Sequence, residues 1–259
     1  KCFRVQRDKT LSLKVAYTPN EHDEYALAFS TQKGTKESPF YSGSDSFERY
    51  WRWPMWDKDS IYFLSHTEFG AHNLTLNTKA FYDTFKNDLR AFDDATFSTQ
   101  KKKSSFNSYY RDYSYGAGFD LGGDLTSKDR LKFSTLIKYD VHREHNDDEP
   151  TAVDKDRTYS FGLENTHRFN EQTSLITGIS YDKRDASRAE KFEEQCVSTH
   201  QKNAICPFDI GNRHAFNYQI KLAHHFSEHD EFTLSFAKKT RFATMKERYS
   251  RRFGRTEPN

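Results

Sequence analysis

The chain has 259 residues, enough for one large β domain or two ordinary ones, and its formal net charge of +2 gives no global electrostatic case for a nucleic-acid partner. Mean hydropathy is -0.99 and 30% of residues are charged, yet 16% are aromatic, with 23 Phe and 15 Tyr supplying much of the apolar surface. That mixture excludes a disordered chain, which is poor in aromatics, and suits a barrel with a watery lumen, where only outward side chains need be apolar. No run approaches the ~20 apolar residues of a membrane helix, which says nothing about membrane strands.

The chain opens at Lys1-Cys2-Phe3 without an initiator Met or a signal peptide, so it reads as a mature or excised segment. Period-two alternation then begins. Leu11, Leu13, Val15 and Tyr17 lead through the polar turn Pro19-Asn20-Glu21-His22-Asp23 to Tyr25, Leu27 and Phe29, a hairpin. A second hairpin carries Ile61, Phe63 and Phe69, turns at Gly70-Ala71-His72, and returns with the clearest strand of the chain. There Leu74, Leu76, Thr78, Ala80 and Tyr82 share one face, and Asn73, Thr75, Asn77, Lys79 and Asp83 the other, with Phe81 the one apolar intruder. Alternation over residues 73–83 matches the ~9–11 residues a tilted strand needs to cross a bilayer.

Three further hairpins follow. Tyr113 to Leu121 turns at Thr126-Ser127-Lys128-Asp129 into Leu131 to Val141; Tyr159 to Leu163 turns at Asn170-Glu171-Gln172 into Leu175 to Tyr181; Phe216 to Leu222 turns at Ser227-Glu228-His229-Asp230 into Phe232 to Phe236. Between hairpins the connections are long and polar, over residues 32–57, 93–109, 143–157 and 183–213. Short turns alternating with long loops is the layout of an outer-membrane barrel, whereas a soluble β-propeller has no need of that alternation. The expectation is an all-β, antiparallel transmembrane β-barrel segment of roughly ten strands, without a helix of consequence. Lys79, Asp83, Asp120, Asp124, Lys132, Lys138 and Glu164 fall on the lumen side, and such charge suits a wide interior, as in barrels of about 22 strands with a plugged lumen.

Several stretches carry a family resemblance. Trp51-Arg52-Trp53-Pro54-Met55-Trp56-Asp57-Lys58-Asp59-Ser60 runs into a strand, and Ala80-Phe81-Tyr82-Asp83-Thr84-Phe85-Lys86-Asn87-Asp88-Leu89 is followed by Phe92-Asp93-Asp94-Ala95-Thr96-Phe97-Ser98. Later, Phe236 to Tyr249 looks like a strand with a Phe-Arg-x-Pro-type box, and Glu257-Pro258-Asn259 like the start of a cut-off Asn-Pro-x-Leu-x-Pro-Glu-type box. Together they resemble the barrel portion of TonB-dependent outer-membrane receptors across essentially the whole chain. The family's N-terminal plug, its TonB-contacting box and its last strands have no counterpart, so residues 1–259 read as a partial barrel domain. The resemblance implies a Gram-negative outer-membrane location and uptake of a scarce nutrient, most often an iron-siderophore complex. Energy would come from the TonB complex, acting through a plug outside this sequence. Haem, cobalamin and glycans rank behind; haem receptors use a His near the Phe-Arg-x-Pro region, and no His follows His229. A passive porin or surface adhesin without energy coupling is the alternative.

Candidate ligand-binding residues are Tyr50, Trp51, Trp53 and Trp56, which read either as an aromatic belt at the membrane interface, the favoured reading, or as a stacking surface near the barrel mouth. Arg241, within the Phe-Arg-x-Pro-like stretch, is a further candidate. Cys196 and Cys206, with nine residues between them in the longest loop, read as a disulfide in an oxidising compartment, with free thiols or metal ligands as the alternative; Cys2 has no evident partner. His142, His145, Asp147, Asp148 and Glu149 crowd one loop, read as a solvated acidic loop ahead of a cation site. His224-His225 beside a short turn is expected to face headgroups or water, and Lys101-Lys102-Lys103 suits lipopolysaccharide phosphates or simply solvent. No nucleophile elbow, phosphate loop or His-Glu-x-x-His motif occurs, so neither an enzyme nor a cofactor or metal centre is expected. Outer-membrane lipid and lipopolysaccharide are the remaining expected partners.

Overall fold

The structure is a computed structural model describing residues 6–38, 49–70, 72–196 and 199–249; Cys2 and the closing Glu257-Pro258-Asn259 lie outside these ranges. Its elements are β1 (Arg7–Tyr17), β2 (Glu24–Glu37), β3 (Tyr50–Phe69), β4 (Leu74–Phe92), β5 (Phe106–Asp124), β6 (Asp129–Asn146), β7 (Ala152–Arg168), β8 (Thr173–Arg188), β9 (Glu190–Gln195), β10 (Lys202–Pro207), β11 (Asn212–His225), β12 (Glu231–Lys238) and a single helical turn, α1 (Met245–Tyr249). Ten strands form one sheet in the order β1-β2-β3-β4-β5-β6-β7-β8-β11-β12, and β9 and β10 form a separate two-stranded hairpin. Every pairing is antiparallel between chain neighbours, apart from β8 with β11 across that hairpin. The sheet is open, with β1 and β12 at its edges.

Alternation along each strand becomes continuity across strands, because residues directly opposite one another share a face. Leu13, Phe29, Ile61, Tyr82, Tyr115 and Tyr139 stand in one unbroken cross-strand row. With Phe119, Leu121, Phe133, Ile137, Phe161 and Phe216 they make an apolar band on one side of the sheet, exposed throughout except at the half-buried Tyr139. A contiguous surface of that kind is unfavourable in water and favourable against hydrocarbon. The opposite face carries ion pairs between neighbouring strands, such as Lys132–Glu164 at 2.7 Å and Arg130–Asp124 at 3.1 Å. Phe81, the apolar intruder there, lies directly opposite Gly116. A Cβ on Gly116 would sit 2.8 Å from the Phe81 ring, so the ring occupies the space of the missing side chain.

Four of the five short turns share one chemical device. Asn20, Thr126, Asn170 and Ser227 each accept, through the side-chain oxygen, the backbone N–H groups two and three residues on. Short polar side chains close tight turns this way because they replace a backbone acceptor. At that end His224 bonds Thr173 Oγ1 at 2.9 Å and packs edge-on against Phe226.

At the other end the structure corrects the expected loop lengths. β3 has 20 residues, β4 and β5 have 19 each and β6 has 18, well beyond the ~9–11 that cross a bilayer. Strand therefore takes in 32–37 and 50–57 of the first expected loop, and 143–146 and 152–157 of the third, whereas of 93–109 only 106–109 are strand. Hydrophobic alternation stops where the apolar band stops, but backbone pairing continues, so a hydropathy pattern underestimates the strands. The span 183–213 likewise holds the end of β8 and the β9–β10 hairpin, which a Cys196–Cys206 disulfide (Cα–Cα 5.5 Å) ties together.

Candidate functional site: a cavity on the lumen face

The strand extensions enclose the main cavity, about 910 Å3, on the polar face above the band. One wall is tryptophan, and a bulge places it. Arg52 faces Arg90 on β4, but Met55 faces Asp88, so β3 holds one extra residue around Pro54. An extra residue inverts the in-out alternation beyond it. Without it, Trp51 and Trp53 would share a face and Trp56 would point the other way. With it, all three line the cavity. They pack edge-to-face in series, Trp51–Trp53 at 6.0 Å and Trp53–Trp56 at 6.2 Å, continuing to Phe85 at 5.0 Å and Phe106 at 6.3 Å. The Lys36 ammonium lies 2.9 Å from the Trp56 ring centre and 4.7 Å from that of Trp53. Burial, and the nearby Lys58, lower its pKa.

The facing wall is acidic and comes from β5, β6 and β7. His142 stands opposite Asp154 on β7. Its Nδ1 lies 2.9 Å from both carboxylate oxygens of Asp112 and its Nε2 lies 3.2 Å from Glu144. The hydrocarbon-facing band of β6 ends at Tyr139, so this cluster belongs to the strand extension. Burial alone would lower the His142 pKa, but hydrogen bonds and charge from Asp112 and Glu144 outweigh it and raise it to about 10. The ring is thus an imidazolium donating from both nitrogens, with Tyr110 edge-on at 4.8 Å. Asp154 is pushed up to about 6, mainly by burial, although the Glu190 backbone N–H and His142 oppose that shift.

The third boundary is the end of the described chain, folded back over the sheet. Arg248 donates to Asp156, Arg184 donates to the Ala243 carbonyl, and Tyr249 packs on Phe208 at 5.6 Å. Ala186, Ala189, Phe208 and Tyr249 form the one buried apolar cluster among the described residues. Thr244, Met245 and Tyr249 thereby reach the cavity, as do Lys191 and Phe192 of β9.

Of the residues singled out from sequence, Trp51, Trp53 and Trp56 are brought together on this wall. The interface-belt reading of these three is corrected, because the bulge turns them to the lumen side. Tyr50 is not part of the wall; it packs edge-on against Phe97 at 6.4 Å. Arg241 is exposed and holds Glu247 through two bonds of 2.8 and 2.9 Å, away from the cavity. The solvated-loop reading of His142 and His145 is also corrected: both lie in β6, where strand pairing holds them, and His145 stacks on Tyr109 at 4.9 Å. Lys102 of the lysine run donates to the Asp93 carbonyl. Among the described residues no three His, Cys, Asp or Glu side chains are arranged to hold a metal ion. Asp112, Glu144, Asp154 and Phe85 were not anticipated. Their signal is their parity, one residue out of step with the outward aromatics; for Asp112, Glu144 and Asp154 it lies in strand extensions beyond the hydrophobic alternation.

An open-sided antiparallel wall, apolar outside and polar within, with a cavity at its long-loop end, matches in fold the barrel portion of solved outer-membrane receptors. Solved structures with this fold include the copper transporter OprC (TM-score 0.74, 12% identity, 95% of this chain and 38% of that one). The ferric-catecholate import receptor Fiu of E. coli K12 is similar in its open form (0.64, 11%, 90% and 47%) and its closed form (0.61, 11%, 90% and 43%). This chain therefore spans less than half the length of each. No protein-family model matches the sequence, and no curated protein matches it.

Proposed function

We propose that this chain is part of the wall of a TonB-dependent outer-membrane transporter in a Gram-negative bacterium. It takes up an iron-siderophore complex captured in the cavity, with energy relayed from the TonB complex through a plug domain. The observation that carries this is the cavity itself: three tryptophans, brought to one face by a one-residue bulge, oppose a carboxylate wall above a polar lumen. Tryptophan faces and carboxylates both favour positive charge. Seven carboxylates line the cavity, Asp83, Asp112, Asp140, Glu144, Glu149, Asp154 and Glu190; Asp140 pairs with Lys138 and Glu190 with Arg188, and the remaining five outnumber the cations Arg49, Lys191, Lys36 and His142. This balance favours cationic or uncharged complexes over anionic ones. The similar structures are named for copper and for ferric catecholates, so the similarity does not choose the cargo and the wall chemistry must.

The test is growth of an iron-limited strain lacking its own receptors and expressing the full-length gene product. We expect growth on cationic or neutral ferric hydroxamates, poor growth on anionic ferric catecholates, and loss of growth on removal of TonB. Growth on no iron complex would overturn the cargo. Uptake that persists without TonB would instead establish the passive porin.

A further inference from the structure

The tryptophan wall already holds a cation of its own chain. Trp53 and Trp56 stand nearly perpendicular, at 87° with ring centres 6.2 Å apart, so the angle between them is a two-sided aromatic cage. The Lys36 side chain enters it from β2, directly opposite Trp53, and brings its ammonium over both rings, 2.9 and 4.7 Å from their centres. Gly34, two residues earlier on the same face, has no side chain to crowd the indole; a Cβ there would lie 3.6 Å from that of Trp56. Electron-rich ring faces set around a positive nitrogen are a general means of recognising cations on alkyl groups.

Among the described residues Lys36 has no carboxylate within ion-pair distance, and the rings take that place. Its basic neighbours do hold acids: Lys33 pairs with Asp57 and Asp59, and Arg52 with Glu37. Asp8, on β1, supports the Lys36 charge from further off and accepts from Gln6 at 2.6 Å. Burial and the Lys58 ammonium both work against that charge. Lys36 is half-buried on a flexible four-carbon stem. A positive group held in this way by rings alone can be exchanged for a second cation, with Lys36 swinging out to water.

We infer that the Trp53–Trp56 cage is a binding site for an alkylammonium group of the ligand, and that Lys36 is a built-in stand-in which the ligand's own ammonium displaces. A protonated primary amine on a flexible chain reproduces the end of Lys36 in charge, size and reach. The carboxylates of the cavity favour the same sign of charge. The inference deepens the proposed function and rests on its reading of the tryptophans as the ligand surface; it requires neither TonB nor iron.

The experiment uses the purified full-length gene product. Lys36→Ala removes the stem beyond Cβ and empties the cage, so the probe is n-propylammonium, the severed fragment, with n-propanol as its uncharged control, titrated by indole fluorescence. Lys36→Ala is expected to bind n-propylammonium about tenfold more tightly than wild type does, the range of a desolvated cation over aromatic rings. For n-propanol no gain is expected, and adding Trp56→Ala should abolish the gain for the ammonium. A second pair puts the same question to the cargo: a linear ferric trihydroxamate with a terminal amine, and that complex N-acetylated. Lys36→Ala is expected to raise affinity for the amine form about tenfold and to leave the acetylated form within about twofold. Should Lys36→Ala fail to fold, Lys36→Gln keeps the stem, drops the charge, and is expected to gain severalfold for the ammonium ligands alone. Equal binding of n-propylammonium by wild type and the folded variants, a gain that survives loss of Trp56, or an equal gain for both hydroxamates would overturn the cage. Binding of n-propylammonium to the emptied cage with neither hydroxamate bound would sustain the cage and overturn the cargo reading instead.

Discussion

At the scale of single residues, the cavity depends on side chains whose environment sets both charge and affinity. Trp56 contacts Trp53, Phe85 and Lys36 at once, so Trp56→Ala should weaken ligand binding by about thirtyfold, the range of a central aromatic anchor, as read by calorimetry on the purified full-length protein. His142, raised to about 10 from 6.5, contributes stability that is fully present below about pH 6.5 and lost as pH rises through about 10. Wild type should therefore hold an advantage over His142→Gln in the temperature at which the SDS-resistant folded band disappears. That advantage is expected at pH 6–8 and should narrow at pH 10.5. Asp154 has the opposite use. With its pKa near 6 it gains negative charge between pH 5 and 7, so a cationic complex should bind more tightly at pH 7 than at pH 5. Titration of Asp154→Asn should show that dependence flattened.

At the scale of elements, the bulge in β3 does what no single side chain does. Below it, register is pinned by an apolar face that must meet hydrocarbon, since a one-residue slip would turn Ile61 and Phe63 inward. Deleting Met55 should leave that part unchanged and rotate Trp51 and Trp53 to the outer face. We expect wild-type strand content by circular dichroism with ligand affinity lost to about the extent of removing both rings. Retained affinity would show that the tryptophans do not act through the lumen wall. The four capped turns at the opposite end are a separate economy: each hairpin closes with its own Asn, Thr or Ser acceptor, so each is locally specified.

At the scale of the whole molecule, the governing fact is that the sheet is open. Among the described residues β1 and β12 each present a backbone edge with no strand beside it, and unpaired backbone groups cannot be tolerated in hydrocarbon. Residues 1–259 expressed alone should accordingly aggregate or fail to give an SDS-resistant, heat-modifiable band, whereas the full-length gene product should give one. A heat-modifiable monomer from this segment alone would mean that β1 closes on β12 in a smaller barrel.

What the sequence by itself determined was the class of fold, the hairpin order, the short turns and the polarity of the two faces. Each is written in alternation and turn chemistry, which act over a few neighbouring residues. Where strands ended was less legible, because hydropathy reports the height of the bilayer and not the length of the backbone ladder. The site was decided only by tertiary structure. Trp56 joins Trp51 and Trp53 through one extra residue whose position is set by pairing with β4, and His142 becomes an imidazolium because Asp112, thirty residues away in sequence, stands beside it on the next strand. Both depend on which backbone lies next to which, and no local pattern carries that.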